Sequence, residues 1–281
     1  MPALRIRPMT RVELDLGIEW AGQEGWNPGL HDADTFHATD PQGFLIGLLD
    51  GEPVGMVSAV HYGDGFGFLG FYIVRPSFRG QGHGMALWRA AMQRLRGRVI
   101  GLDGVVAQQH NYRKSGFAWA WNNVRYQGAA RARAQVTSSV VAVSELPLQL
   151  VLDHDAEFFA GDRRAFTRHW VAQRGSIALA VWRGQRIVGF GVIRSARSGY
   201  KIGPLFADDA EAAEQLYDAL ISQVDEGAPV QIDVPAVNAQ ALALVRAQGL
   251  TPVFETARMF AGAAPALPMP RMFAVTSFEL G

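Results

Sequence analysis

The chain has 281 residues, 49% of them apolar, which suffices for one large domain or two of ordinary size with a sizeable buried core. Its 26 basic and 26 acidic residues balance, which argues against nucleic acid or a membrane surface as a partner held by bulk charge. The absence of cysteine excludes disulfides, thiolate metal sites and a cysteine acyl-enzyme, and with neither a signal segment nor an apolar run of transmembrane length we expect a cytoplasmic protein without a metal.

The first half is predicted to alternate strands and helices. A short edge strand closed by Pro8 precedes a helix that has Thr10 as its N-cap. Two apolar runs on either side of Asp50-Gly51 predict a hairpin. The segments that follow are a strand at 66–76, a helix at 84–97, a strand at 98–105, a short helical piece at 108–116 and an alternating strand at 117–128.

The second half repeats the first. Gly184 follows Gly51 by 133 residues, and the same offset relates Gly116 to Gly249 and Arg125 to Arg258. Three matches at one offset and in one order indicate two copies of an α/β module. We place the first over residues 1–130 and the second over 140–281, with the join near 128–139. The proline-punctuated tail at 265–281 ends in a strand-like run that is predicted to pair back onto a sheet.

Three glycines stand in the turn between a predicted strand and a predicted helix, at Gly80, Gly82 and Gly84. A helix N-terminus presents unpaired N–H groups and a partial positive charge, so a bare backbone there suits a phosphate or pyrophosphate. The phosphate-binding loop of nucleotide hydrolases does not match, because no Lys-Ser or Lys-Thr follows. The dinucleotide fingerprint fails as well, because Met85 and Leu87 stand where it needs glycine.

The remaining pattern, Arg-x-x-Gly-x-Gly over 79–84, resembles motif A of the GNAT N-acetyltransferase superfamily. The resemblance implies an α/β (α+β) fold of two tandem modules, each a mixed, mostly antiparallel twisted sheet flanked by helices. It also implies acetyl-CoA as co-substrate, with its pyrophosphate in this loop and the strand before the loop splayed from its neighbour. The alternative is a glycine-rich turn that merely closes a strand–helix unit. The implied acetyl-CoA-binding residues are Ile73, Val74, Arg79, Gly80, Gln81, Gly82, His83 and Gly84.

The segment that begins at Tyr112 resembles the Tyr-x-x-x-Gly-Phe end of motif B in the same family. There the tyrosine protonates the departing thiolate, which is reasonable for a phenol of pKa about 10 and a thiol of about 8.5. Asp103 lies thirteen residues before Gly116. In the second copy, Asp233 lies sixteen before Gly249, so the first copy's helix is predicted to be about three residues shorter. The alternative role for Tyr112 is an interfacial tyrosine that caps the core.

The general base is harder to assign from the sequence. Family members often carry a glutamate on the strand before motif A, and this strand has no carboxylate. His61, Asp64 and Tyr72 are the nearby polar side chains, and each also has an ordinary structural explanation. A water chain with a backbone carbonyl is the other possibility, since an alkylamine need only lose a proton before it attacks.

The second copy lacks the glycine turn and is predicted not to bind CoA in the usual way. Carboxylates at its helix start would satisfy the helix N-terminus and repel a pyrophosphate. Val245 stands where the first copy has Tyr112. We expect this degenerate module to shape the acceptor pocket or a dimer. Asp233 and Asn238 then lie near a shared cleft, or else serve as a strand-end aspartate and a helix N-cap. The carboxylates at the helix start are Asp208, Asp209 and Glu211.

The segment after the first helix is expected to wall the acceptor site. Trp26 and Asn27 are the predicted acceptor-binding residues, because a tryptophan can stack on an aromatic group or cover a cationic amine. The aromatic strand at 119–126 is a further candidate wall, or core. The alternative for the whole segment is a solvated loop anchored by Trp26. Side chains that would make it acidic and attract an amine are Glu24, His31, Asp32 and Asp34.

These observations lead to one functional hypothesis and two rivals. The first is an acetyl-CoA-dependent N-acetyltransferase in which the primary amine of a small molecule attacks the thioester directly in a ternary complex. Backbone N–H groups near Val74 would polarise the carbonyl and Tyr112 would protonate the thiolate. The rivals are a non-catalytic acyl-CoA sensor or assembly module, and a protein-lysine or N-terminal acetyltransferase. The protein is expected to be a monomer or a homodimer.

Overall fold

The structure is a computed structural model, and it describes residues 4–131 and 139–281. The elements of the first half are β1 (Arg5–Pro8), α1 (Arg11–Gln23), α2 (Asp32–Thr39), β2 (Phe44–Leu49), β3 (Glu52–Tyr62), β4 (Phe66–Val74), α3 (His83–Arg94), β5 (Val99–Val105), α4 (Gln109–Lys114) and β6 (Phe117–Ala129). Those of the second half are β7 (Val140–Ala142), α5 (Leu148–Ala156), α6 (Arg164–Val171), β8 (Ser176–Arg183), β9 (Arg186–Ser195), β10 (Tyr200–Ala207), α7 (Ala210–Ile221), β11 (Pro229–Pro235), α8 (Ala239–Ala247), β12 (Thr251–Ala261) and β13 (Met272–Ala274).

All the described strands belong to one continuous sheet. Its order is β1-β2-β3-β4-β5-β12-β6-β11-β10-β9-β8-β7, with β13 paired to β10. The β4–β5 and β10–β11 pairs are parallel and the other described pairs are antiparallel. The predicted fold of two mixed, mostly antiparallel modules is confirmed.

The two halves exchange a strand at the centre of this sheet. β12, from the second half, lies between β5 and β6 of the first. β6, from the first half, lies between β12 and β11 of the second. The halves therefore share main-chain hydrogen bonds along the full length of both strands. Nothing in the local sequence pattern predicted this exchange.

Local signals placed most elements of the first half correctly. Thr10 caps α1 through a capping box with Glu13, with both reciprocal hydrogen bonds present. Asp50 and Gly51 both take positive φ, 50° and 86°, as a two-residue hairpin turn requires. The proline-punctuated segment at 265–281 pairs back onto the sheet through β13, as predicted. Part of the predicted join at 128–139 lies outside the described residues.

The acidic segment at 32–39 is a helix, which the sequence analysis did not predict. α2 packs against α6, and the rings of Phe36 and Trp170 stack with 6.1 Å between their centroids. Both rings are fully buried and belong to a core that is continuous across the two halves. No helix in the described ranges is long and apolar enough to cross a bilayer.

Candidate active site

Strands β4 and β5 part in the middle of the first module. Their pairing runs from Phe66 opposite Val99 to Leu69 opposite Leu102 and then ends. Just beyond, β4 shifts its register against β3, and Phe71 takes a φ of +43°, which is uncommon for a bulky residue. Such a bulge bends a strand and redirects its backbone groups. The gap that opens between the two strands is the splay that the family resemblance implies.

A cavity of about 710 Å³ occupies this gap. Its walls come from the ends of β4 and β5, the first turns of α3, the segment around α4, β12 and the chain after β13. Two of the predicted acetyl-CoA-binding residues on β4, Ile73 and Val74, line it, and so does Tyr112. The structure thus brings the strand end and the motif B tyrosine to one site.

The glycine turn, residues 79–84, is open at the start of α3. Gly80 and Gly82 take positive φ, 76° and 86°, and a Cβ on either would meet no atom within 4 Å. α3 begins at His83 with Gly82 as its N-cap, and no side chain of the described residues caps it. Arg79 lies on the cavity wall, where its Nε donates to Val74 O at 2.8 Å. The turn therefore offers bare N–H groups, as an anion site requires.

The other predicted residues of this turn lie beside the cavity rather than on its wall. Arg79 and Met85 line it, and the five residues between them do not: Gly80, Gln81, Gly82, His83 and Gly84. The Gln81 amide donates to Ser77 O at 3.0 Å. The His83 ring packs against Phe78, with 6.4 Å between centroids.

Tyr112 projects from α4 into the cavity. The helix has six residues where its counterpart α8 has nine, so the predicted three-residue shortening is confirmed. Tyr112 stacks on Trp88 at 5.6 Å between centroids. Burial, and then the neighbouring Tyr72, raises its pKa to about 12. The phenol is therefore fully protonated at neutral pH and available as a proton donor.

Trp26 and Asn27 separate in the structure. Trp26 lines the cavity, whereas Asn27 does not and is buried in the contact between the two halves. The Asn27 amide donates to Ser198 O and Gln231 Oε1, both at 3.1 Å, and its oxygen accepts from Ser198 N at 2.8 Å. With every polar group of its side chain engaged, Asn27 holds the halves together and does not face an acceptor.

Most of the carboxylates of the α1–α2 segment that were predicted to attract an amine form ion pairs outside the cavity. Asp32 is fully buried against Arg194, and Asp34 forms an ion pair with Arg11. Neither residue lines the cavity, and His31 does not either. Glu24 does, and it is paired with Arg79.

Of the three side chains considered as general base, two lie away from the cavity and one lines it. His61 Nε2 lies 3.1 Å from Arg94 O, and Asp64 is exposed near Arg98; neither lines the cavity. Tyr72 does line it, but burial raises its pKa, so it is a poor proton acceptor. In the strand at 119–126, Trp119 is exposed and Trp121 packs in the core against Phe260, so this strand does not wall the site.

Sequence reasoning missed the wall that the second half supplies. Phe254 and Thr256 of β12 line the cavity, together with Phe278 and Glu279 of the C-terminal tail, defined here as residues 275–281. Phe254 and Thr256 reach the first module because β12 lies between two of its strands. The C-terminal tail reaches it as well, and Tyr62 of β3 holds the tail by donating its Oη to Leu280 O at 3.0 Å. No local pattern links these positions to residues near 70.

The matching gap in the second module is filled by the chain itself. β10 and β11 pair up to Ile202 opposite Ile232 and then part, as β4 and β5 do. β13 enters there and pairs with β10 at Leu205 and Phe206. Asp209 caps α7, since its Oδ1 accepts from Ala212 N at 2.7 Å. The second module therefore lacks both a free gap and a free helix N-terminus.

Asn238 and Asp233 have the structural roles given as their alternatives. Asn238 caps α8, and its amide donates to the carbonyls of Met269, Pro270 and Met272. It thereby anchors the segment that leads into β13. Asp233 is buried in an ion pair with Arg125.

Comparison with known proteins agrees with this arrangement. The model described as "Acetyltransferase (GNAT) family" matches residues 13–117, and that described as "Acetyltransferase (GNAT) domain" matches residues 151–274. A curated relative, "Holothin acyltransferase" of Pseudoalteromonas sp. (strain SANK 73390), is 30% identical over 98% of this chain and 94% of its own. The chain belongs to the GNAT acetyltransferase family. This GNAT acyltransferase is an enzyme with two GNAT domains in tandem.

Solved structures share the fold of this GNAT acyltransferase. A putative acetyltransferase from Pyrococcus horikoshii superposes with a TM-score of 0.85 at 24% identity, over 99% of this chain and 96% of its own. A tandem GNAT protein from the clavulanic acid biosynthesis pathway superposes with a TM-score of 0.66 at 16% identity, over 94% of this chain and 100% of its own. In the described residues, no three or more His, Asp or Glu side chains are grouped so as to hold a metal ion.

Proposed function

We propose that this GNAT acyltransferase transfers the acetyl group of acetyl-CoA to the primary amine of a small molecule, by direct attack in a ternary complex. The observation that carries the proposal is the first module's cavity. It reaches from Arg79 and Met85, which flank the glycine turn, to the point where β4 and β5 part, with Tyr112 on its wall.

The residues of the glycine turn fit a pyrophosphate. The groups that would meet it are bare N–H groups at the start of α3, beside two glycines with open space around them, and the Arg79 guanidinium, which the pyrophosphate would share with Glu24. The free edge of β4 beyond Leu69 supplies further main-chain donors and acceptors to an extended ligand. Bound acetyl-CoA supplies the activated acyl group.

The chain's own groups then serve two tasks. N–H groups of the β4 end, near Val74, donate to the carbonyl oxygen as it gains negative charge. Tyr112, protonated at neutral pH, gives its proton to the leaving sulfur. Neither task requires a covalent enzyme intermediate, which agrees with a chain that has no cysteine.

The shape of the cavity favours a small acceptor over a peptide. β12 and the C-terminal tail form part of the cavity wall, and a peptide acceptor would have to pass them. Holothin, the acceptor in the relative's name, belongs in the panel of amines to be tested. We propose cytoplasmic action by a monomer or a homodimer.

Isothermal titration of acetyl-CoA tests the site. The wild type is compared with an Arg79→Glu, Gly82→Asp variant and with Gly97→Asp as control. Gly97 also has positive φ, 85°, and open surroundings, but it lies beyond the other end of α3. We expect the double variant to lose binding and the control to keep it. Equal binding by all three would exclude the site.

A thiol-release assay with the amine panel then tests the reaction. Release of CoA thiol that depends on an added amine, with acetylated amine as the product, is the expected result. Binding of acetyl-CoA without release for any amine would favour the sensor or assembly role instead.

A further inference from the structure

Three carboxylates line the cavity, and one of them accepts no hydrogen bond from the described residues. Glu24 is paired with Arg79. Asp103 accepts from Arg258 at 2.6 and 2.9 Å and from Asn123 at 2.8 Å. Glu279 is only 3% exposed, and neither carboxylate oxygen has a hydrogen-bond partner among the described residues. A buried carboxylate without a donor is costly, so its retention in a ligand cavity points to a donor that arrives with the ligand.

Glu279 lies at the point where the two strands part. A Cβ placed on Gly70 would be 2.1 Å from the Glu279 carbonyl oxygen, so the tail passes directly over Gly70. Gly70 is the first residue of β4 beyond its pairing with β5. The tail is held there by Tyr62, which binds Leu280 O, and by Ser277, whose Oγ accepts from Leu280 N at 3.1 Å.

The side chains in the same cavity as Glu279 suit a ligand that has one positive charge and a flat apolar body. Aromatic rings of Trp26, Phe71, Phe254 and Phe278 line the same cavity. The Thr256 Oγ1 is buried beside them without a partner among the described residues. Aromatic faces stack on planar groups and attract ammonium ions.

We propose that Glu279 binds the ammonium group of the acceptor and takes a proton from it, as the general base of acetyl transfer. The proposal rests on the proposed function and narrows its substrate class to a basic amine carried on a compact planar or aromatic body. It also places the base on the second module, although the acyl donor is held by the first.

The proton balance is complete with Glu279 and Tyr112. The ammonium nitrogen loses one proton to Glu279, which passes it to solvent. The free amine forms the new C–N bond at the acyl carbon as the C–S bond breaks. Tyr112 gives its proton to the thiolate, and the second proton lost by the nitrogen restores Tyr112. The products are the amide, the CoA thiol and one proton.

The test compares Glu279→Gln with the wild type in acetyl-CoA titration and in kcat/KM from pH 6 to pH 10. We expect acetyl-CoA binding to change less than about twofold and kcat/KM at pH 7 to fall at least about 100-fold. The deficit shrinks as pH rises, because the amine then loses its proton in solution. Glu255→Gln, an exposed glutamate on β12, is the matched control and keeps full activity.

Other titrating groups near Glu279 are controlled separately. Its charge acts on two buried cations, Arg125 and Lys201, and Asp233 lies 4.0 Å from the latter. Burial lowers the pKa of Lys201 to about 8, inside the assay range, so the profiles are repeated in Lys201→Met. In the Lys201→Met background, the kcat/KM of Glu279→Gln must still rise toward the value without that substitution as the pH increases. The remaining titratable groups of the cavity wall are Glu24, Tyr72, Arg79, Asp103, Tyr112 and Lys114.

Glu279→Asp keeps the carboxylate and decides the matter if the Gln variant does not fold. Withdrawing the carboxylate by one methylene lowers kcat about tenfold for an alkylamine. It leaves an arylamine unchanged, because that amine is already unprotonated at neutral pH. Equal losses on both amines overturn the proposal, and so does a Gln variant with a wild-type pH profile. A wild type that binds acetyl-CoA but acetylates no amine removes the proposed function and this proposal together.

Discussion

Arg125 and Asp233 form a bidentate ion pair in the interior, with Nε–Oδ1 and Nη2–Oδ2 distances of 2.6 and 2.7 Å. The arginine lies on exchanged β6 and the aspartate on β11 of the other half. The same pair recurs with the halves reversed, between Arg258 on exchanged β12 and Asp103 on β5. The strand exchange is therefore fastened on each side by a buried arginine from one half and a buried aspartate from the other.

Breaking one of these pairs should destabilise the whole chain. Burial alone would raise the pKa of Asp233, but Arg125 holds it below its usual value, so the carboxylate stays charged in the folded state. Asp233→Asn removes the hydrogen-bonded counter-charge of buried Arg125 and leaves only Glu279, which makes no hydrogen bond to it, so we expect the free energy of unfolding in urea to fall by about 3–5 kcal/mol. Glu52→Gln, which removes an exposed partner of Arg75, should cost at most about 1 kcal/mol. Similar losses in both variants would contradict the assignment.

Removing the hydroxyl of Tyr112 should slow the chemical step and spare binding. With Tyr112→Phe we expect kcat to fall about 100-fold and the Kd of acetyl-CoA to stay within about twofold. Because the pKa is raised to about 12, the acid form persists below that pH, so the wild-type profile should show no decline from this group up to about pH 10. Tyr126→Phe, outside the cavity, is the control. An unchanged kcat would assign Tyr112 to packing alone.

The sequence could predict where the first module's cavity lies because its signals are local. The glycine turn, the strand that ends at Val74 and the shortened helix of Tyr112 lie within about 45 residues, and each has a pattern set by backbone geometry. Glu279 and Phe254 could not be found in this way, because the strand exchange and the tail bring them to Gly70 from far along the chain. Asn27 was predicted to face the acceptor because a polar residue in a turn is usually exposed. Its actual partners, Ser198 and Gln231, come from the second half and could not be predicted locally.

One acetyl-CoA should bind per chain. The gap between β10 and β11 is occupied by β13, which Asn238 anchors through three carbonyls. Main-chain groups that would meet a second ligand are thus already paired. Titration calorimetry should give a stoichiometry near one in the wild type and no residual site in the Arg79→Glu, Gly82→Asp variant. A second site that survives in that variant would show that the second gap opens.

The free energy of unfolding should decrease at low pH, and protonation of Glu13 should account for part of this decrease. Its hydrogen bond to Arg7 lowers the pKa of Glu13 to about 2 in the folded chain, against about 4.3 for a free glutamate. A folded-state pKa below the unfolded value contributes stability above about pH 4.3, and this contribution is lost as pH falls toward 2. Glu13→Gln should therefore be less stable than the wild type at pH 6 and should lose less stability between pH 5 and pH 2.5. Parallel curves of thermal midpoint against pH would contradict this role.

The contact between the C-terminal tail and β4 leaves no room for a side chain at residue 70. In Gly70→Ala, the new Cβ would lie 2.1 Å from the Glu279 carbonyl oxygen, a main-chain atom that cannot simply rotate away. We expect the free energy of unfolding to fall by about 1–3 kcal/mol, as in other overpacked sites, and amine acetylation to fall because Glu279 is displaced. Gly65→Ala is the matched control, since nothing lies within 4 Å of its Cβ position. If Gly70→Ala kept wild-type stability and kcat/KM while Gly65→Ala did the same, the tail would not be seated over β4 as described.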